Sequence, residues 1–225
     1  MFKEKNTITA SAAIGSGIMT GTKEVQAAWS FTDKFAVMTN YLNASGGSQN
    51  NTESGWGKGN YFEGAFGYYK ALDEHLIFEV YGGFGSGNQQ HKYITHSYWP
   101  YDSIFDDGAS SLSLKKYFVQ PSISYNSKIL SGAFSTRFSI LNFNRINNNI
   151  VVNSHPFYFL DTLSNNRTSL LFEPAITIKL GWKFVTAQIQ YGYSMNLTNP
   201  NLAFENYNVS LGLYFTMNTK YFKHK

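Results

Sequence analysis

Alternation with a period of two runs through most of this chain, and few folds can accommodate it. Successive side chains of a strand point to opposite faces of a sheet, so strict alternation of apolar and polar residues marks strands with one face buried in an apolar medium. Ten such segments are read here, at roughly residues 6–15, 23–31, 35–44, 61–70, 76–87, 113–125, 130–143, 169–182, 185–196 and 207–217. On one face lie sets such as Val25, Ala27, Trp29, Phe31 and Leu170, Phe172, Ile176, Ile178, Leu180, Trp182. Opposite them stand small or polar residues, for instance Ser131, Ala133, Ser135, Arg137, Ser139 and Thr186, Gln188, Gln190, Gly192, Ser194. No stretch reaches the ~18 consecutive apolar residues of a spanning helix. The chain is therefore all-β.

Charge decides what surrounds the sheet. A soluble β-sandwich or closed barrel turns its polar face to water and its large residues inward. Only 14% of this chain is charged and 17% is aromatic, against about 25% charged residues in a typical soluble domain. The polar face is built from Ser, Thr, Gln, Gly and Ala, which suits a barrel interior, while the aliphatic and aromatic face suits lipid. The expectation is a single antiparallel up-and-down transmembrane β-barrel of about ten strands. Lipid of an outer membrane is then its first partner.

Turns and loops agree with this. Turn 32–34 sets Phe31 opposite Phe35, turn 183–184 sets Trp182 opposite Val185, and turn 126–129 sets Tyr125 opposite Leu130, each pair on the apolar face. Short turns at one end face long loops at the other, near residues 45–60, 88–112, 144–168 and 197–206. That is the layout of an outer-membrane barrel with periplasmic turns, extracellular loops and both termini periplasmic. Trp29, Phe31, Phe35, Tyr68, Tyr69, Tyr125, Trp182 and Phe215 gather near the short turns, as an interfacial girdle requires. Pro121 and Pro174 interrupt strands, and a β-bulge is expected at each.

The net charge of +4 is scattered apart from Lys220, Lys223 and Lys225, so no nucleic-acid surface is expected. The absence of cysteine leaves no disulfide or thiolate metal site. The first residues lack the apolar core of an export signal.

Segments 26–38 (QAAWSFTDKFAVM), 61–69 (YFEGAFGYY), 78–87 (FEVYGGFGSG), 117–122 (YFVQPS) and 172–175 (FEPA) together resemble a family of Bacteroidota outer-membrane β-barrel proteins. The resemblance spans strands two to eight and implies the barrel fold and an outer-membrane location. It implies no activity. Members typically begin with a signal peptide, often ending in a lipoprotein cysteine, and this sequence has neither.

Candidate residues fall in two groups. Glu63, Glu79, Lys116, Gln120, Arg137, Glu173 and Lys179 share the inward parity, and charges inside a narrow barrel must be paired or hydrated. They form either a structural network or the lining of a narrow polar pore. The loop aromatics Tyr98, Trp99, Tyr101, Phe105, Phe157 and Tyr158 either contact a protein or glycan or fold over the barrel mouth. The leading functional expectation is an accessory barrel presenting loops to another outer-membrane protein or a surface glycan. A channel for ions or small polar solutes comes second, and a surface hydrolase using loop Asp and His residues third. His91, His96, Asp102, Asp106, Asp107, His155 and Asp161 show no catalytic or metal-ligand spacing, so neither an enzyme nor a metal or cofactor is expected. Glycine-rich 82–87 lies inside a strand pattern with no helix after it, which removes a phosphate-loop reading.

Overall fold

The computed structural model describes residues 2–49, 53–95, 107–152, 155–156, 158–182, 184–200 and 205–218. Ten strands form the barrel: β1 (Thr7–Ser16), β2 (Thr20–Ser30), β3 (Phe35–Gln49), β4 (Glu53–Ala71) and β5 (Leu76–Thr95), then β6 (Asp107–Asn126), β7 (Leu130–Asn148), β8 (Thr168–Trp182), β9 (Val185–Tyr193) and β10 (Tyr207–Asn218). Each pairs antiparallel with its neighbours in sequence, and β10 returns to β1 through a register that sets Thr7 opposite Asn218. The ring is closed, so no main-chain edge is left open to lipid. No helix among the described residues is long and apolar enough to cross a membrane.

Parity follows the sequence. Val25, Phe62, Phe66, Tyr117, Phe134, Ile176, Leu180 and Leu211 point outward and are exposed, while their alternates Glu63, Glu79 and Ser139 are buried inside. A continuous exposed apolar belt on a closed barrel has no place in water, and it matches a lipid-facing surface. The girdle is present at the short-turn end, with Trp182 75% exposed and Trp29, Phe35, Tyr125 and Phe215 also outward. Tyr69 departs from it: the side chain faces inward and is buried against Phe2, because it shares the parity of Glu63 and Gly67.

Three further expectations are corrected. Much of the expected loops at 45–60, 88–112 and 144–168 is strand: β3 to β7 run 15 to 20 residues, where about 9–11 suffice to cross a bilayer. Above the lipid both sheet faces meet polar surroundings, so alternation lapses, and Gly-, Ser- and Asn-rich strand reads as turn. Of the fourth expected loop, residues 197–200 and 205–206 are irregular. Neither proline carries a bulge. The ladder skips Gln120–Pro121 opposite Thr136–Arg137, and skips Glu173–Pro174 opposite Tyr193–Ser194, with no change of register on either side. In the continued registers Pro121 faces Thr136 and Pro174 faces Tyr193, so each lost donor leaves a gap on the side where its own ladder is interrupted. The register shift lies instead between Ser113 and Leu114, opposite Asn144; it changes the parity of β7 and turns Ile146 to the same side as Phe143. Finally, Tyr125 pairs with Gly132 rather than Leu130 because the turn is tighter, closed by Ser127 N–H donating to Leu130 C=O. The face is unchanged.

Candidate functional site

The lumen is arranged in tiers. At mid-height Arg137 of β7 reaches across to β4, where its two terminal nitrogens each donate to a carboxylate oxygen of Glu63 at 3.0 Å. Its Nε donates to Gln120 Oε1 at 2.8 Å, and the guanidinium lies 4.1 Å from the ring centroid of Phe118. Arg137 thus has both a fork-to-fork partner and an aromatic face, the geometry that guanidinium satisfies best. Beside it Lys116 of β6 donates to Glu173 Oε1 at 2.7 Å, and Ser139 Oγ donates to the other oxygen at 2.6 Å. Arg137 and Glu173 are register partners on β7 and β8, so the two ion pairs adjoin.

Glycine makes room for the aromatic rings of this tier. A Cβ on Gly83 would strike the Phe118 ring, and one on Gly85 would strike the Tyr61 hydroxyl and ring. Both rings approach the inner wall of β5 closely, which is possible only where the wall carries no side chain. These glycines belong to the 82–87 segment, and close approach of rings is what they provide.

The short-turn end is closed by the amino-terminal arm. Asn6 takes a left-handed conformation, φ 61°, which asparagine tolerates better than most residues. Its N–H donates to Ser30 C=O. The arm then turns inward: Phe2 is 1% exposed, packs on Tyr69 with ring centroids 5.6 Å apart, and shares a cluster with Ala36 and Tyr81. Its backbone N–H donates to Glu79 Oε1 at 3.0 Å. Lys3 Nζ donates to the carbonyl of Glu74 in the β4–β5 turn, and Lys5 lies 3.6 Å from Asp33 in the β2–β3 turn. Glu79 therefore belongs to this lower tier, apart from the Arg137 pair. Lys179 is also low in the barrel, its ammonium 3.2 Å from the ring centroid of Tyr214, a desolvated cation–π contact.

At the far end Leu112, Leu114, Phe143, Ile150 and Leu163 form a buried cluster. Leu163 comes from a helix, Tyr158–Asn165, inside the β7–β8 connection. This connection packs against the inside of the taller wall through Leu163. Tyr98, Trp99, Tyr101, Phe105 and Phe157 lie outside the described residues, as does the side chain of Tyr158.

The opposite wall is thin. Ser11, Ala13 and Ala28 line a cavity of about 500 Å³ that extends from Phe2 and Glu79 to Thr20 and Glu205. Glu24, missed in the sequence reading, faces it and accepts from Asn40 Nδ2 at 2.8 Å. It has the same parity as Gln26 and Ala28, a signal that was present. Glu205 at the far rim accepts from Met19 N–H at 2.9 Å and from the Thr20 hydroxyl. Among the described lining residues Glu24, Glu63, Glu79, Glu173 and Glu205 outnumber Lys116, Arg137 and Lys179.

The residues considered for hydrolysis are not brought together among those described. His91 lies over Gly57 on the inner side of the tall wall, and His96, Asp102 and Asp106 fall outside the described residues, as do the side chains of Asp107, His155 and Asp161. No group of three or more His, Cys, Asp or Glu side chains suited to a metal occurs among the described residues.

The closed ring, lipid-facing belt and polar lumen define an outer-membrane β-barrel fold. No protein-family model and no curated protein matches the chain. Among solved structures it is similar to the translocator domain of the autotransporter NalP from Neisseria meningitidis, with a TM-score of 0.54 and 10% identity over 93% of this chain and 87% of that one. It also aligns with the outer-membrane protease OmpT from Escherichia coli (TM-score 0.47, 9% identity, 94% of each chain). A further alignment is with LpxR from Salmonella typhimurium (TM-score 0.41, 5% identity, 92% of this chain and 99% of that one). At these identities the likeness to the NalP domain establishes the fold alone.

Proposed function

We propose that the chain lies in a bacterial outer membrane, short turns and both termini toward the periplasm, and acts as a narrow channel for ions or small polar solutes. The Bacteroidota resemblance supports the location. The observation that carries the channel reading is the polar cavity of about 500 Å³ along the thin wall, room for on the order of fifteen waters at ~30 Å³ each. A lumen needed only for stability would be filled by side chains in a barrel this small. The excess of lining carboxylates favours cations, by the logic of charged rings in channel constrictions. Phe2 and its arm limit passage at the periplasmic end.

Planar-bilayer recording tests this. Small cation-preferring conductance is expected from the intact barrel, larger conductance from Phe2→Ala, and weaker cation preference from Glu24→Gln. Silence from both the intact barrel and Phe2→Ala refutes the channel.

A second reading, an accessory barrel that presents its outer end to a protein or glycan, draws support from the height of β3–β7 over β1, β2, β9 and β10. Neither reading assigns the chain a reaction.

A further inference from the structure

The outer face of the tall wall carries a second kind of surface just above the lipid belt. Above the belt its outward-facing residues include Lys58 on β4, Lys92 on β5, Lys115 on β6 and Arg145 on β7, all exposed, with Lys92 four outward positions above Phe84. Lys115 is the next outward residue above Tyr117 at the top of the β6 belt, and Lys58 lies two outward positions above Phe62 on β4. Registration draws these cations into two diagonal pairs. Lys58 faces Gln90, the outward neighbour of Lys92, and Arg145 faces Ser113, the outward neighbour of Lys115. Diagonal neighbours on a sheet face are about 7–8 Å apart, close enough for like charges to repel. Outward neighbours at this height are uncharged: Asn60, Asn88, Gln90, Ser111, Ser113, Asn142 and Asn147. No described acidic side chain faces outward among them to neutralise the pairs.

Two unbalanced cation pairs at the upper edge of a lipid belt fit an anion held at headgroup depth. We infer that Lys58 with Lys92, and Lys115 with Arg145, bind the phosphates of a phosphorylated glycolipid in the outer leaflet. Its acyl chains lie on the exposed Phe62, Phe84 and Tyr117 below. A groove of about 300 Å³ between Gly47, Trp56, Lys92 and Ile94, with Lys58 Nζ 5.3 Å from the Trp56 ring centroid, gives sugar a flat aromatic face beside the first pair. Lipid anchorage is the chosen source because the lower cation of each pair lies close to the belt, Lys115 one outward position above Tyr117 and Lys58 two above Phe62. The inference rests on the membrane placement proposed above and not on conduction.

The test is lipid retention by the intact barrel in detergent, read by native mass spectrometry after incubation with lipid A or with the same lipid A stripped of its phosphates. At least tenfold more retention of the phosphorylated form is expected. That preference disappears in Lys58→Ser/Lys92→Ser/Lys115→Ser/Arg145→Ser, persists when the three lysines become arginine, and weakens as salt is raised. Heat-dependent gel mobility confirms that each variant is folded, and should the fourfold variant fail to fold, each pair is substituted separately. Equal retention of both lipids, full retention by a folded serine variant, or displacement by millimolar inorganic phosphate would each overturn the inference. A barrel that is silent both intact and as Phe2→Ala, yet still selects the phosphorylated lipid, would refute the channel and leave this inference standing.

Discussion

Arg137→Ala is the substitution whose cost the lumen geometry defines most sharply. Glu63 is 1% exposed and receives both terminal nitrogens of Arg137, so removing the guanidinium leaves a carboxylate that water cannot reach without rearrangement. Breaking one partner of such a buried pair costs about 3–5 kcal/mol, and the lost packing on Phe118 adds to this. Glu63→Ala is expected to cost less, about 2–3 kcal/mol, because Arg137 keeps Gln120 and Phe118 and adjoins Glu173. The double variant removes both charges together, so its cost should fall well short of the sum, with a coupling of about 2 kcal/mol or more. Reversible urea unfolding of detergent-folded barrel, followed by tryptophan fluorescence, measures all three. The Lys116–Glu173 pair is the internal control: its side chains are 13% and 20% exposed, so water takes up part of the loss and its coupling should be smaller. Additive effects below about 1 kcal/mol at Arg137 and Glu63 would place this pair in the range of exposed ion pairs and refute a dry central tier.

Two further outcomes follow from local geometry. Gly85→Val puts methyl groups where the Tyr61 hydroxyl and ring lie, and should destabilise the barrel by about 1–3 kcal/mol in the same urea assay; combining it with Tyr61→Ala should recover part of that loss. In the β4–β5 turn, N–H groups of His75 and Leu76 donate to Asp73 at 2.7 Å, which holds its carboxyl below the usual carboxylate range. A depressed folded pKa stabilises the turn above the unfolded carboxylate value and is lost as pH falls through the folded one, so amide-exchange protection at His75 and Leu76 should drop under acid conditions. Asp73→Asn should remove that pH dependence.

The sequence carries the faces of this barrel far better than its heights. Glu63, Glu79, Lys116, Arg137, Glu173 and Lys179 were assigned inward from parity alone, and each lines the cavity, because lipid on one side penalises every misplaced charge. Strand length above the lipid left no such mark: Trp56, Lys58 and Asn60 alternate with Gly55, Gly57 and Gly59, a pattern that turn composition imitates. The partner of Arg137 was equally hidden. Glu63 stands three strands away, and which inward residues meet across a lumen depends on tilt and stagger, which periodicity does not encode. Phe2 precedes the first alternating segment and has no periodic context at all, although the arm it ends closes one mouth of the barrel.

Division of the lumen into a packed side and a thin side bears on whether one small barrel can be both stable and permeable. Charged and aromatic residues concentrate on β4 to β8, where Arg137, Glu63, Phe118 and the Lys116–Glu173 pair satisfy one another and Tyr61 packs against Gly85. The thin side, Ser11, Ala13, Ala28 and their neighbours, adds little packing and leaves the cavity. If the channel reading holds, substitutions on the two sides should separate: packed-side variants lower stability before they alter conduction, whereas thin-side enlargements such as Ala28→Leu reduce conductance with the barrel still folded. The opposite assignment, conduction lost through packed-side residues while Ala28→Leu conducts normally, would mean that solute passes along the charged tier and that the cavity beside the small-residue wall is only unfilled space.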